Sequence, residues 1–312
     1  MKKSLFLFIF FTKIALSQSS FPVDTSYTPK SVYIKVKKEH PQVSLVASRK
    51  YESVNQKKEV VYKKIKDREL HLDAYYNNTN KRNPTLVIIH GGGWRSGNKS
   101  QMETFAIEVA SKGYSCFNIE FRLSMEAQYP AAIFDVKKAI QYIKANAKKF
   151  NVDTGKIAVL GCSSGGQMAA LIGTTNGKPN FEETDKKAKF SSNVNAIIDV
   201  DGILAFKHPE SAEGKAAGQW LGGSYEEIPT IWEQASPLHN TDKNTPPVLF
   251  INSSLPRFHA GRDDMIALLN KYGTYNEIQT IPNSPHSFWF LNPWFDETVK
   301  HTTQFLDKVF NL

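Results

Sequence analysis

The sequence predicts an α/β fold in which a mostly parallel central sheet is covered by helices on both faces. Three observations support this prediction. From Thr85 onward, short runs of β-branched and apolar residues alternate with segments of helical period. The apolar runs are nearly continuous, which is typical of strands that are buried on both faces. No Pro-, Gly- or Ser-rich linker divides residues 58–312, so we expect them to form one domain.

The predicted elements follow in a regular order. Residues 59–65 and 69–76 are typical of an antiparallel hairpin that precedes the alternating part. The strands predicted after it are residues 85–89, 115–121, 156–160, 194–200, 247–251 and 276–281. The predicted helices are residues 102–112, 131–149 and 298–309, with a further helix that begins after residue 163. In such sheets, active sites gather at the carboxyl ends of the strands.

The chain begins with features of an exported protein. Residues 1–17 are predicted to be a signal peptide, because a basic start precedes an apolar stretch and a small-residue cleavage site. The apolar stretch is too short to span a bilayer, so no stable membrane insertion is expected and a retained anchor is the weaker alternative. A periplasmic or secreted location follows. Residues 18–57 contain three prolines, many Ser and Lys residues and weak periodicity, which predicts an extended N-terminal arm or a poorly ordered leader.

Composition limits the classes of partner and cofactor. The formal net charge is +9, and it falls to +6 when three lysines leave with the signal peptide. This charge suits acidic surroundings such as uronic-acid polymers, although a solvated Lys-rich face is the more common explanation. Neither a metal-ligand motif nor a Gly-rich phosphate loop is present, so we expect no metal, no other cofactor and no nucleic-acid partner. Cys116 and Cys162 are expected to be free, buried thiols.

The motif G-C-S-S-G at residues 161–165 follows the strand predicted at residues 156–160. Strand, tight turn and helix fall in the order that a nucleophile elbow requires, with Ser163 on the turn. Glycines suit this site because strand and helix backbones approach closely there. Ser164, at the helix start, would offer its amide to a developing oxyanion. By itself, the motif is also compatible with an ordinary Gly/Ser-rich loop.

A second loop strengthens the interpretation. Residues 90–94 read H-G-G-G-W directly after a predicted strand, and such loops supply oxyanion-hole amides. Gly92 and Gly93 are therefore expected to join Ser164 in an oxyanion hole, and His90 to hold the loop through a hydrogen bond. With both motifs present, the sequence resembles the α/β-hydrolase superfamily over residues 58–312. Within it, the chain is similar to the HGGG-type carbohydrate esterases, which include acetylxylan and feruloyl esterase-like enzymes of the BD-FAE type.

The resemblance implies an α/β-hydrolase fold and a catalytic triad. His286 is the predicted general base, because it follows the last predicted strand and comes after the nucleophile in the superfamily's chain order. The acid is less well defined, since no carboxylate stands at the usual spacing after the strand at residues 247–251. Asp263 is the first candidate, and Asp201, at the end of the preceding strand, is the second. A Ser-His dyad or a carboxylate such as Glu210 stays open.

Aromatic residues near the motifs suggest where a substrate binds. Trp94 and Trp289 are predicted to contact substrate, with Trp294 nearby, because aromatic faces suit sugar or feruloyl rings. Packing in the core is the alternative for each of them. Residues 219–223 and 236–238 lie in an insertion that is predicted to form a cap or one wall of the pocket.

Together with the resemblance, these residues imply an exported serine esterase. The expected reaction is removal of acetyl groups from a plant or algal polysaccharide of the xylan or pectin type through an acyl-enzyme. An acylated polysaccharide or oligosaccharide is thus the expected partner. A feruloyl esterase is the nearest alternative. A third hypothesis is a catalytically inactive, glycan-binding protein of the same fold, because no acid stands at its usual place.

Overall fold

A computed structural model describes residues 24–77, 81–183 and 189–312. The predicted signal peptide, residues 1–17, and the first residues of the predicted arm lie outside the described residues. The strands are β1 (Ser44–Leu45), β2 (Asn55–Ile65), β3 (Arg68–Tyr76), β4 (Asn83–Ile89), β5 (Ser115–Ile119), β6 (Val152–Cys162), β7 (Ala196–Val200), β8 (Val248–Asn252), β9 (Asn276–Thr280) and β10 (Leu291–Asn292). The helices are α1 (Pro29–Val36), α2 (Glu103–Ser111), α3 (Ala131–Ala145), α4 (Ser164–Thr174), α5 (Gly214–Leu221), α6 (Pro229–Gln234), α7 (Pro237–Asn240), α8 (Arg262–Tyr272) and α9 (Phe295–Phe310).

In the described parts of the chain, eight strands form one sheet in the order β2-β3-β5-β4-β6-β7-β8-β9. The hairpin of β2 and β3 is antiparallel, and β3 is also antiparallel to β5. Every other neighbouring pair in this sheet is parallel. The mostly parallel sheet predicted from the sequence is confirmed.

Two hydrophobic cores lie on opposite faces of this sheet. Along β4, Val87 and Ile89 belong to one core, whereas Leu86 and Ile88 belong to the other. This alternation follows from the two-residue period of a strand. The first core also contains apolar residues of α3 and α4, and the second contains those of α2 and α9. Helices therefore cover both faces, which is why the central strands β4, β5, β7 and β8 are buried along their whole length.

The N-terminal segment differs from its prediction. Residues 24–57 are not simply extended, because they contain the helix α1, which begins with a capping box between Thr28 and Ser31. Val32 and Val36 are buried in the second core, and β1 pairs with β10. The helix has only eight residues and two buried positions, so its periodicity is too weak to be read from the sequence.

Both cysteines are buried free thiols: Cys116 lies in β5 and Cys162 ends β6. Burial raises the pKa of both thiols, which disfavours the reactive thiolate. Over residues 24–77, 81–183 and 189–312, no helix combines the length and apolar character needed to cross a membrane.

Candidate active site

Ser163 occupies a sharp turn between β6 and α4. Its backbone has φ +55° and ψ −123°, a conformation that costs energy for a residue with a side chain and that recurs at functional sites. A Cβ on Gly161 would lie 1.8 Å from the carbonyl oxygen of Gly165, so only glycine fits this contact between strand and helix. The side chain of Ser163 is partly exposed at the carboxyl end of β6. The strand-turn-helix arrangement predicted from the motif is therefore present.

Two hydrogen bonds join Ser163, His286 and Asp201 in one line. Nε2 of His286 lies 2.9 Å from Oγ of Ser163, and Nδ1 lies 2.8 Å from Oδ2 of Asp201. Because a carboxylate accepts hydrogen bonds, the proton belongs on Nδ1, and Nε2 is left to accept from the serine hydroxyl. The imidazole is thus placed to take the proton of Ser163. The structure brings together the predicted nucleophile, the predicted base and the second of the two candidate acids.

Three hydrogen bonds hold Asp201 in place at the end of β7. Its side chain is fully buried, and its second oxygen, Oδ1, accepts a hydrogen bond of 2.7 Å from the backbone N–H of Ser253. Its own N–H donates to the carbonyl of Ile251 in β8. Burial raises the pKa of the nearby Asp199 well above its usual range, with the charge of Asp201 as a second cause. Both influences favour the protonated form of Asp199.

The prediction that places Asp263 against His286 is wrong. Asp263 lies in the first turn of α8, where its carboxylate accepts from Arg262 Nε at 2.8 Å and its side chain is 79% exposed. The neighbouring guanidinium lowers the pKa of Asp263. Asp263 thus forms a surface ion pair with the adjacent residue. Glu210, the other carboxylate left open, lies beside His208 and not beside His286.

The glycine loop after β4 lies directly against the nucleophile. A Cβ on Gly91 would come within 3.1 Å of the Ser163 Cβ, so loop and elbow are in contact. Gly92 and Gly93 have φ of +132° and +61°, values that favour glycine. The carbonyl of Gly92 accepts from the N–H groups of Arg95 and Ser96, which turns the loop back on itself. Ser164, as the first residue of α4, has a backbone N–H with no acceptor inside the helix.

His90 stabilises the glycine loop through a hydrogen bond and a ring contact. Its Nδ1 donates to the carbonyl of Gly91 at 2.8 Å, and its ring stacks on Phe121 with centroids 4.5 Å apart. Burial lowers the pKa of His90 to about 4, so the ring is neutral near pH 7. The hydrogen bond to Gly91 agrees with the structural role expected for this histidine.

The predicted substrate-binding role of the tryptophans disagrees with their burial. Trp94 is only 3% exposed; its ring stacks on Trp220 and its Nε1 donates to Gln167. Trp289 is 1% exposed and presents its ring edge-on to His286, at a centroid distance of 5.2 Å. Burial in the core leaves neither face of these rings for a sugar. Trp294 is likewise buried. These tryptophans were predicted to contact substrate because they are close to motifs in the sequence. That closeness does not show whether a side chain lines the pocket or packs in the core.

The predicted cap segments also contribute to the core. Trp220, within residues 219–223, is fully buried, and the hydroxyl of Ser236 donates to the Trp232 carbonyl and accepts from the Phe206 N–H. The insertion therefore packs against the first core, and its Trp220 stacks on Trp94.

Two aromatic residues that the sequence analysis did not select lie at the triad. Phe258 stacks on the His286 ring with centroids 3.5 Å apart and planes 8° from parallel. Tyr27, from the N-terminal segment, has its hydroxyl 2.8 Å from the Ser287 hydroxyl, next to His286. No motif marks either residue, because their places depend on how distant loops meet.

A comparison with protein families assigns the chain to a family. Residues 72–258, more than half of the chain, match the family model described as BD-FAE. The chain belongs to the BD-FAE family. The matched range of this BD-FAE protein includes Ser163, Asp201 and the glycine loop. It ends before the loop of His286 and begins after the N-terminal segment that carries Tyr27.

Among curated proteins, the BD-FAE chain is similar to the esterase LipC of Mycobacterium tuberculosis, with 30% identity over 178 residues, 55% of this chain and 44% of LipC. It is also similar to an arylesterase of Saccharolobus solfataricus, with 30% identity over 146 residues, 46% of this chain and 45% of that protein. The matches thus span about half the length of these relatives.

Solved structures show the same fold. A truncated carbohydrate esterase from gut microbiota superimposes with a TM-score of 0.69 at 24% identity, covering 83% of this chain and 99% of that one. An acetyl ester-xyloside bifunctional hydrolase from Caldicellulosiruptor lactoaceticus gives a TM-score of 0.68 at 22% identity, covering 78% and 89%. The predicted α/β-hydrolase fold and the resemblance to BD-FAE-type carbohydrate esterases are confirmed.

Proposed function

We propose that this BD-FAE protein is a serine esterase that removes acetyl groups from a plant or algal polysaccharide of the xylan or pectin type. The observation that carries the proposal is the hydrogen-bonded line from Ser163 through His286 to Asp201, beside a loop rich in glycine amides. The chain order Ser, Asp, His is that of α/β-hydrolase triads. The curated relatives named esterases support the reaction class.

In the first step, Ser163 Oγ attacks the ester carbonyl carbon while His286 Nε2 accepts its proton. The negative charge that develops on the carbonyl oxygen is stabilised by the amides of Ser164, Gly92 and Gly93. Asp201 stabilises the imidazolium through Nδ1–H and keeps the ring oriented. The tetrahedral intermediate collapses when His286 gives the proton to the leaving alcohol oxygen, and acetyl-Ser163 is formed.

In the second step, water takes the place of the alcohol. His286 Nε2 accepts a proton from the water, whose oxygen attacks the acetyl carbonyl, and the same amides stabilise the second oxyanion. The proton then returns to Ser163 Oγ as acetic acid leaves, and the acid ionises to acetate in solution. The residues of the chain supply every proton transfer in this cycle.

Other observations support a carbohydrate as the substrate. Two structures of the same fold are named as a carbohydrate esterase and as an acetyl ester-xyloside hydrolase. The basic composition suits acidic polysaccharides. Export to the periplasm or medium, proposed from residues 1–17, would bring the enzyme to a polymer that cannot enter the cell.

Hydrolysis of p-nitrophenyl acetate by the wild type and by Ser163→Ala tests the reaction. We expect kcat to fall by about 10⁵-fold or more in Ser163→Ala, with an unchanged circular dichroism spectrum. Ser191→Ala is the matched control. Ser191 is exposed and precedes β7, so it lies towards the amino ends of the strands, whereas Ser163 lies at the carboxyl end of β6. A wild type that does not turn over would point instead to an inactive glycan-binding protein. Equal activity in Ser163→Ala would overturn the assignment of Ser163 as the nucleophile.

A panel of polymers tests the substrate. Acetate release from acetylated xylan and acetylated pectin is compared with ferulate release from feruloylated xylan, at equal ester concentration. The proposal predicts that kcat/KM for an acetylated polymer exceeds that for the feruloylated polymer. The opposite ranking would assign the protein as a feruloyl esterase.

A further inference from the structure

A cleft of about 580 Å³ opens beside His286, between the N-terminal segment and two loops. One wall is formed by residues 26–40, which include α1. The other is formed by residues 255–258 after β8 and by residues 285–287 around the histidine. Phe258, which stacks on the imidazole, and His286 itself lie where the cleft meets the triad. His286 is therefore shared between the cleft and the triad.

The N-terminal wall is fixed in place by polar contacts to the catalytic loops. The hydroxyl of Tyr27 pairs with Ser287 at 2.8 Å, and its carbonyl accepts from Gln101 Nε2 at 2.6 Å. Asp24 forms an ion pair of 3.0 Å with Arg95, directly after the glycine loop. This wall lies outside the range that matches the BD-FAE family model. It is thus an addition to the matched part of the domain, anchored beside the base and beside the oxyanion loop.

One face of the N-terminal wall points into the cleft. Val32, Lys35 and Val36 share a helix face by their spacing, and Glu39 follows one turn later. Across the cleft lie the apolar residues Leu255, Phe258 and Pro285. The cleft therefore combines apolar surfaces with charged groups at its edge. A sugar ring matches this pattern, because its faces carry C–H groups and its rim carries hydroxyls.

The position of the cleft beside His286 indicates which half of the ester, the acyl group or the alcohol, binds there. His286 must reach the leaving alcohol oxygen to protonate it, so the alcohol half of the ester lies on the histidine side of Ser163. We propose that this cleft binds the sugar unit of the leaving alcohol and its neighbour along the glycan. The inference rests on the proposed carbohydrate acetylesterase function and assigns glycan recognition to α1 and to the loop of Leu255.

Substitutions that fill the cleft from each wall test the inference. Lys35→Trp and Leu255→Trp place bulk on opposite sides, and both side chains are exposed, so the fold has room for the change. Lys30→Trp is the matched control, because Lys30 is exposed on α1 but does not line the cleft. Two substrates are compared. One is an acetylated xylo-oligosaccharide, or an acetylated oligogalacturonide if pectin is preferred. The other is ethyl acetate, whose ethyl group is too small to contact both walls of the cleft.

We expect Lys35→Trp and Leu255→Trp to raise KM for the oligosaccharide by about tenfold while kcat/KM for ethyl acetate stays within about twofold of the wild type. Lys30→Trp should change neither. Unchanged oligosaccharide kinetics in both cleft variants, or an equal loss with ethyl acetate, would overturn this inference and leave the proposed function intact. A wild type that hydrolyses ethyl acetate but releases no acetate from any oligosaccharide would overturn the carbohydrate substrate and this inference with it.

Discussion

At the scale of single residues, the candidate acid is decided by burial and by partners. Asp201 is fully buried and both of its oxygens accept hydrogen bonds, one from His286 and one from Ser253. Asp263 is mostly exposed and pairs with Arg262. A carboxylate that orients a histidine must itself be held by its surroundings, and only Asp201 meets that condition.

Asp201→Asn and Asp263→Asn form a matched pair of substitutions. Asp201→Asn should lower kcat for p-nitrophenyl acetate by about 10⁴-fold, because an amide can donate to Nδ1 and favour the wrong tautomer. Asp263→Asn should leave kcat within about twofold of the wild type, since it removes only a surface ion pair. The measurement is kcat across pH 6 to 9, with circular dichroism as the folding control. A larger loss in Asp263→Asn than in Asp201→Asn would refute the assignment.

At the scale of elements, the site depends on the close contact of β4, β6 and α4. The glycines at 161 and 165 let the helix start directly over the strands. The N-terminal segment adds a second dependence, because Tyr27 holds the loop of His286 through Ser287. The nucleophile is thus positioned by a rigid turn, and the base by a loop that a distant segment holds.

Gly165→Ala tests the strand-helix contact. Its Cβ would lie 2.3 Å from the carbonyl oxygen of Ile89, so β4 and α4 must separate. We expect the free energy of unfolding to fall by about 1 to 3 kcal/mol, measured by urea denaturation. Gly214→Ala is the control: no atom lies within 4 Å of a Cβ there, and alanine favours the helix. Equal stability of the two variants would contradict the contact.

Tyr27→Phe tests the anchoring of the histidine loop. Loss of the hydroxyl leaves Ser287 without this partner, so residues 283–290 should exchange amide hydrogens faster and kcat should fall about three- to tenfold. Tyr33→Phe is the control, because the Tyr33 hydroxyl accepts from the exposed Lys37 Nζ, four residues further along the chain. The readouts are kcat and hydrogen exchange followed by mass spectrometry. Wild-type exchange in Tyr27→Phe would show that packing alone fixes the loop.

At the scale of the whole molecule, the pH dependence of stability reflects groups that are buried in one protonation state. Burial lowers the pKa of His90 from its ordinary value of 6.5 to about 4. Between these values the unfolded chain binds a proton that the folded chain does not bind. The contribution of His90 to stability is therefore complete above pH 6.5 and is lost as the pH falls towards 4.

His90→Asn, with His90→Gln as a second variant, isolates this effect. The wild type should lose about 2 kcal/mol of unfolding free energy through His90 between pH 7.5 and pH 5. The variants lack this titration, so their loss over the same interval should be smaller by that amount. Urea denaturation at the two pH values gives the comparison. An equal pH difference in the wild type and both variants would show that His90 does not titrate as a buried group.

Local sequence patterns were enough to predict the fold class, the elbow and the glycine loop. These features depend on local patterns: apolar runs with helical segments between them, and glycines where backbones must approach or adopt positive φ. Ser163 and His286 could be placed from their positions after strands, since parallel strands end at one edge of the sheet.

Long-range contacts determine which acid faces His286, which tryptophans are buried, and that α1 lies beside the triad. Asp201 and Asp263 both follow apolar segments, and their difference in burial arises from contacts with residues far away in the chain. Trp94 and Trp289 adjoin motifs yet point into the core, because the direction of a side chain depends on the packing of neighbouring elements. Such long-range contacts leave no periodic trace in a single sequence, whereas strands, helices and tight turns do.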